Sequence, residues 1–191
     1  MRIKLKTPPT SYPVTLEEIK NFLRIDSLDS DCASTSDDVY LTSLIKAATE
    51  YCESYQNIAY LTQTWVIYME TLPCRLTLPK GNIQSIDGVT YKTKAGVETS
   101  YTGYYYNIDT GKMYFEDSIS DELYPVEPIK IEYTCGYVSA DELPERVIQA
   151  VKFLVSHWYE NRVPIDETRT EAKEIVFTLS ALLNMDKRVI L

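Results

Sequence analysis

The sequence predicts an α+β fold: a mainly helical bundle formed by N- and C-terminal helices, carrying a small antiparallel β subdomain as an insertion. Three observations predict it. Apolar residues recur at helical spacing up to about Tyr55, alternate at strand spacing through the middle of the chain, and return to helical spacing from Pro144. Each helical end is too short to bury a face alone, so the two are expected to pack on each other. That gives a single domain over residues 1–191, with a helical core from 14–57 and 143–185 and a β-rich insertion over 62–136. At 191 residues and 45% hydrophobic composition, the chain is long enough to bury a sizeable core.

Pro13-Val14-Thr15-Leu16-Glu17-Glu18 reads as a helix start. Thr15 caps, Glu18 completes a capping box, and Leu16, Ile19, Phe22 and Leu23 form an apolar stripe. The stretch from Asp26 to Asp38 is rich in Asp and Ser, which predicts a solvated loop whose last residues cap the next helix. Its acidity is metal-like, but it lacks the Gly turn and terminal Glu of a calcium loop, so no metal is expected. From Val39 to Tyr55, residues Leu41, Leu44, Ile45, Ala48, Tyr51, Cys52 and Tyr55 share one helix face, which stabilises the segment only if another helix covers it.

The period then changes. Thr64 to Met69 is β-branched and aromatic, Leu76-Thr77-Leu78 alternates before Pro79, and Ile83 to Tyr91 alternates around Asp87-Gly88. Lys94-Ala95-Gly96 reads as a hairpin tip, Tyr104 to Ile108 as a strand, Asp109 to Lys112 as a turn, and Met113-Tyr114-Phe115 as the partner strand. An acidic, Pro-containing loop from Glu116 to Pro128 leads to a last strand over Ile129 to Thr134 that ends at Gly136. Pro144 then sits where a first helical turn tolerates it, and Val147, Ile148, Val151, Leu154, Val155 and Trp158 make the strongest helical stripe, closed by Pro164. A final helix is expected from about Glu171, with Ile175, Val176, Leu179, Leu182 and Leu183 on one side.

Composition narrows the function classes. A net charge of -9 argues against a surface built to hold DNA or anionic lipid, because neutralising phosphates takes clustered Lys and Arg. Proteins are the expected partners. Cys32, Cys52, Cys74 and Cys135 form no close pair, which excludes a zinc knuckle or redox CxxC built from neighbours and favours free thiols. The basic residues near Met1 precede no apolar run, and no stretch approaches the ~20 apolar residues of a membrane span, so synthesis in a cytoplasm and no membrane partner are expected.

No catalytic constellation stands out, and no cofactor is expected. His157 is the one histidine, set in an apolar helix between Ser156 and Trp158, where a packing or surface role competes with a catalytic one. Carboxylates are plentiful without any pair being singled out. Leu78-Pro79-Lys80-Gly81-Asn82 lacks the second Gly and following Ser or Thr of a phosphate loop and reads as a turn. Sixteen Tyr residues are unusual, and Tyr101, Tyr104, Tyr105 and Tyr106 cluster on one strand. Two readings fit the cluster: a sheet with one buried face, or an interface.

The order and spacing of these segments resemble the head-tail connector, or head-completion adaptor, family of tailed bacteriophages and prophages. The residues that carry the resemblance run from Val14-Thr15-Leu16-Glu17-Glu18-Ile19 to Arg24-Ile25, then Asp37-Asp38, Leu41, Leu44-Ile45, Ala47-Ala48 and Tyr51-Cys52-Glu53. They continue through Leu61-Thr62-Gln63-Thr64-Trp65, Leu78-Pro79, Ile83 and Tyr133-Thr134-Cys135-Gly136-Tyr137 to Pro144, Val147, Ala150 and Trp158-Tyr159-Glu160-Asn161-Arg162. Two turns depart from the pattern: 57–60, where a Gly-containing turn with a basic residue is common, and 80–82, where Pro is common.

The resemblance implies a structural, non-enzymatic protein of the virion head-tail junction. Copies would form a homo-oligomeric ring beneath the portal, extend the DNA channel and meet a tail or stopper protein, with DNA passing through unbound. A ring needs one face of a subunit to meet a different face of its neighbour. By position, the expected subunit contacts are Trp158, Tyr159 and Arg162, with Tyr104 and Tyr106 next, although for Trp158 the favoured alternative is that it seals the monomer core. Two other functions compete: a cellular interaction module docking through its β-insertion, and a hydrolase using His157 or a carboxylate pair.

Overall fold

A computed structural model describes residues 1–25, 35–116, 119, 122–161 and 178–188. The chain divides into two compact units, each assembled from separate stretches. One comprises Ser11–Tyr60 and Ser139–Lys187, the other Met1–Thr10, Leu61–Val138 and Arg188–Leu191.

The first unit is helical. Helix α1 (Leu16–Leu23) begins at Thr15, whose hydroxyl accepts from the Glu18 amide while the Glu18 carboxylate accepts from the Thr15 amide at 2.8 Å. The expected capping box is present. Helix α2 (Thr35–Gln56) starts earlier than its apolar stripe suggests, because Asp37 and Asp38 occupy its first turn, where carboxylates face the unpaired N–H groups. Its buried residues, Leu41, Ile45, Ala48, Thr49, Cys52, Glu53 and Gln56, follow helical spacing along one face. Asn57 ends it at φ 56, taking the left-handed conformation that a glycine usually supplies. Helix α3 (Glu145–Glu160) begins after Pro144 and buries Val147, Ala150, Val151, Leu154 and Val155.

All three helices meet. Phe22 of α1 stands edge-on to Phe153 of α3 at 6.0 Å, Lys20 pairs with Asp38 of α2 at 2.5 Å, and Tyr51 of α2 stands edge-on to Trp158 of α3 at 6.3 Å. Residues 178–183 are helical and bury Leu179 and Leu183. The short turn Asn184–Asp186 that follows is tied down by polar contacts. Gln56 Nε2 donates to the Leu183 carbonyl at 2.8 Å, Tyr55 donates to Asn184 Oδ1 at 2.9 Å, and the Arg146 guanidinium grips both Asp186 oxygens.

The second unit is made of strands: β1 (Arg2–Thr7), β2 (Gln63–Met69), β3 (Arg75–Thr77), β4 (Ile83–Lys92), β5 (Glu98–Ser100), β6 (Tyr104–Asn107), β7 (Lys112–Phe115) and β8 (Ile129–Cys135). They form an antiparallel five-stranded sheet in the order β1-β2-β8-β4-β5 and a three-stranded sheet in the order β3-β7-β6. Register places Ile3, Ile67, Ile131 and Val89 side by side across four strands, next to a row of Leu5, Trp65, Tyr133 and Ile86. Away from its β1 edge, where Ile3 and Leu5 are exposed, that face is the core of the unit, completed by Ile129, Cys135, Leu76, Met113 and Phe115. The opposite face of the large sheet is polar, with Glu132 held by Lys6 at 2.7 Å and by Lys130 at 2.5 Å.

The expectation of a mainly helical bundle with a small β insert is wrong, although α+β holds. Eight strands in two sheets give the β part a core of its own. Two strand features account for the difference. β1 lies at the extreme N-terminus, outside the stretch where strands were expected, and adds a fifth strand. The Asp87-Gly88 pair sits at a shift of register within one continuous ten-residue strand, so it bends β4 rather than dividing it. The expected loop over 26–34 and the start of the last helix near Glu171 lie outside the described residues.

Candidate functional site

Exposed aromatic side chains are the chemistry this chain presents, and they fall in both units. On the helical unit, Trp158 is half-buried with its ring edge-on to Tyr51, while Tyr159 lies 6.2 Å from the Tyr40 ring. Tyr40 also reaches back to the Trp158 carbonyl at 3.5 Å. Tyr51 remains 49% exposed, so two aromatic pairs form a strip at the α2–α3 seam with one ring open to solvent. Trp158 thus contributes to monomer packing and to the strip at once. Arg162 lies outside the described residues.

On the strand unit, parity sorts the tyrosines onto two faces. Tyr104 pairs with Phe115 and Tyr106 with Met113, both of those partners buried, so Tyr104 and Tyr106 share that face with their rings 6.2 Å apart, Tyr104 half-buried and Tyr106 still 46% exposed. Burial raises the Tyr104 hydroxyl above its ordinary pKa. Tyr105 instead pairs with Tyr114, and Tyr114 with Arg75, which makes a row on the opposite face. Tyr105 is 64% exposed, Tyr114 46%, and the Arg75 guanidinium lies 5.6 Å over the Tyr114 ring. Sequence reading selected Tyr104 and Tyr106; the exposed row of Tyr105, Tyr114 and Arg75 it did not single out. The missing signal was the buried Met113 and Phe115, whose alternation with Tyr114 fixes which side of the hairpin is wet.

His157 sits in the last turn of α3, where its Nδ1 lies 3.2 Å from the Asn161 amide and its carbonyl accepts from the same amide at 3.0 Å. This is a helix-end arrangement joining residues one turn apart. A depression of about 320 Å³ opens on the polar face of the large sheet, lined among others by Asp87, Glu98, Tyr101, Tyr104, Lys130 and Glu132. Hydrogen bonds from Lys130 and Lys6 hold the Glu132 carboxyl below its usual range. Among the described residues no His, Cys, Asp or Glu cluster is disposed to hold a metal ion, and no helix is long and apolar enough to cross a membrane.

The sequence pattern of the head completion protein family matches residues 14–178, most of the chain. The chain belongs to that family. Membership carries the structural head-tail connector role that the resemblance implied. No curated protein matches this head completion protein. Among solved structures it is similar to a chain described as the virion of native gene transfer agent particle, with a TM-score of 0.78 and 21% identity over 100% of this chain and 97% of that one. A chain from the neck of the empty particle, computed with C6 symmetry, gives 0.78 at 22% identity over the same shares of the two chains. One from the neck of the native particle, computed with C12 symmetry, gives 0.75 at 19%, again over 100% and 97%. The fold of this head completion protein is therefore shared end to end with those chains.

Proposed function

We infer that copies of the chain assemble as a ring beneath the portal at the head-tail junction of a phage-like particle, extending the DNA channel and presenting a surface to a tail or stopper protein. The observation that carries this reading is the family match across residues 14–178. The shared fold with chains from a particle neck resolved under C6 and C12 symmetry supports it, because such symmetry is that of a ring. Aromatic surfaces on both units supply contact area of the kind that interfaces favour. On the helical unit the contacts assigned to the ring are Trp158 and Tyr159 together with Tyr51, and Arg162 beyond them in sequence. Tyr104 and Tyr106 contribute on the strand unit.

Native mass spectrometry and negative-stain microscopy of the chain, alone and mixed with the portal protein of the same particle, test the reading. The expected result is a closed ring that docks coaxially on the portal. A chain that stays monomeric at high concentration and in the presence of portal overturns it.

A further inference from the structure

The two sheets leave four edges, and two of them are blunted by length, since β3 and β5 run for three residues each. The other two are not. β1 runs for six residues, all exposed, and β6 for four, three of them exposed. A sheet edge carries backbone N–H and C=O groups that either water or another strand must satisfy, and a short edge discourages the second outcome.

The two long edges differ in a complementary way. β1 presents Arg2, Lys4 and Lys6 on one face and Ile3 and Leu5 on the other, the last two each 36% exposed. Arg2 and Lys6 meet Glu127 and Glu132, whereas Lys4 meets no carboxylate among the described residues. Lysines along an edge oppose pairing with a basic strand and favour one bordered by acid. β6 offers three tyrosines, bordered by Asp109 and Glu116, both exposed and in no ion pair among the described residues. Cation-over-ring contacts already recur within this unit, Arg2 over Tyr68 at 5.0 Å and Arg75 over Tyr114.

Topology also sets the edges apart. β2, β8 and β4 separate β1 from β5, a span of about 19 Å at the usual strand spacing. β6 follows β5 after residues 101–103. Each copy therefore carries a basic edge on the large sheet, at β1, and an acid-bordered tyrosine edge on the small sheet, at β6.

We propose that β1 of one copy pairs with β6 of the next, joining the sheets of successive subunits. The contact is heterologous, so its repetition generates a ring where the rotation from one copy to the next closes. This deepens the connector reading and rests on it, naming the surfaces through which copies meet.

The test replaces Lys4 and Tyr105 with cysteine in one chain whose Cys32 and exposed Cys74 are changed to serine, written K4C, Y105C, C32S and C74S. The protein is assembled on portal and treated with a short thiol crosslinker, whose span tolerates a shift of register. The expected result is loss of the monomer band into a ladder of covalent multimers on a reducing denaturing gel, with no ladder from K4C or Y105C alone. Rings seen by native mass without that ladder overturn the strand pairing and leave the connector reading standing. A crosslink to portal instead of to a second copy also overturns it, by giving the edge a different occupant. Absence of rings from the unsubstituted chain overturns both. Lys4→Glu, a surface change, supplies a second measure: it is expected to weaken ring formation, and Asp109→Lys with Glu116→Lys to recover part of the loss. An unchanged ring population with Lys4→Glu counts against the pairing.

Discussion

Gly136 is the glycine with the least room for a side chain among those described. It sits at φ +109, and a Cβ built there meets the Leu61 carbonyl oxygen at 2.3 Å and the Thr62 nitrogen at 2.9 Å. Both obstacles are backbone, so no rotamer change relieves them. Gly136→Ala is expected to lose about 3 kcal/mol or more, from left-handed strain plus the forced shift of the Leu61 peptide. Urea unfolding monitored by circular dichroism checks it, and a loss under 1 kcal/mol, about the cost of a single ordinary surface change, sinks the assignment. A second residue-scale expectation concerns protons. Burial pushes the Cys52 thiol from 9.0 up to about 12 and also raises the Tyr60 and Tyr133 hydroxyls above their ordinary values. A raised folded value means that the folded chain keeps protons the unfolded chain releases. The stability from these groups is therefore complete below pH 9 and falls as pH rises beyond it. Melting temperatures from pH 7 to 11 are expected to drop above 9, and with Ellman's reagent at pH 8 Cys74 reacts while Cys52 and Cys135 stay protected until unfolding.

At the scale of elements, α1 shows how much local chemistry a two-turn helix needs. Eight residues are too few for a helix to persist alone, so its cap and its packing both matter. Thr15→Ala removes the hydroxyl acceptor of the Glu18 amide and is expected to cost about 1 kcal/mol, measured by denaturant midpoint. The Thr15 amide holds the Glu18 carboxyl below 4.5, so this contribution is present at neutral pH and is lost as pH falls through that lowered value. Glu18→Gln is expected to flatten the acid limb of the stability curve there. This helix was fully legible in the sequence because its start signal, Thr15 with Glu18 three residues on, is local. β1 was not. Ile3 and Leu5 between Arg2, Lys4 and Lys6 alternate as a strand should, but an exposed edge strand and a solvated tail share that pattern, and its partner β2 lies about sixty residues away. The tyrosine run was legible only in part for a related reason: alternation shows that a strand has two faces, and the burial of Met113 and Phe115 marks which of them adjoins the core.

For the molecule as a whole, charge sets the terms on which copies meet each other and DNA. At -9 per chain, neighbouring subunits repel at long range, and at 0.1 M salt that repulsion is screened beyond about 10 Å. Contacts that rely on aromatic area and strand pairing survive screening, so assembly is expected to strengthen as salt rises from very low concentration toward 0.15 M, in sedimentation velocity at fixed protein concentration. The same charge bears on the channel. A protein that grips duplex DNA neutralises phosphates with clustered cations, and its affinity falls steeply with salt. Here many of the cations are already engaged: Arg2, Lys6, Lys20, Lys94, Lys130, Arg146 and Lys152 each meet a carboxylate of the same chain. On the proposed reading, a wall built from such subunits would repel DNA rather than hold it during packaging or ejection. Fluorescence anisotropy of a labelled duplex is therefore expected to stay flat when assembled rings are added, even at low ionic strength where phosphate binding is strongest. Binding with a steep inverse dependence on salt would place a band of Lys and Arg in the lumen. The repulsive-wall account would then fail, while the ring itself, tested by mass and microscopy, would stand apart from that outcome.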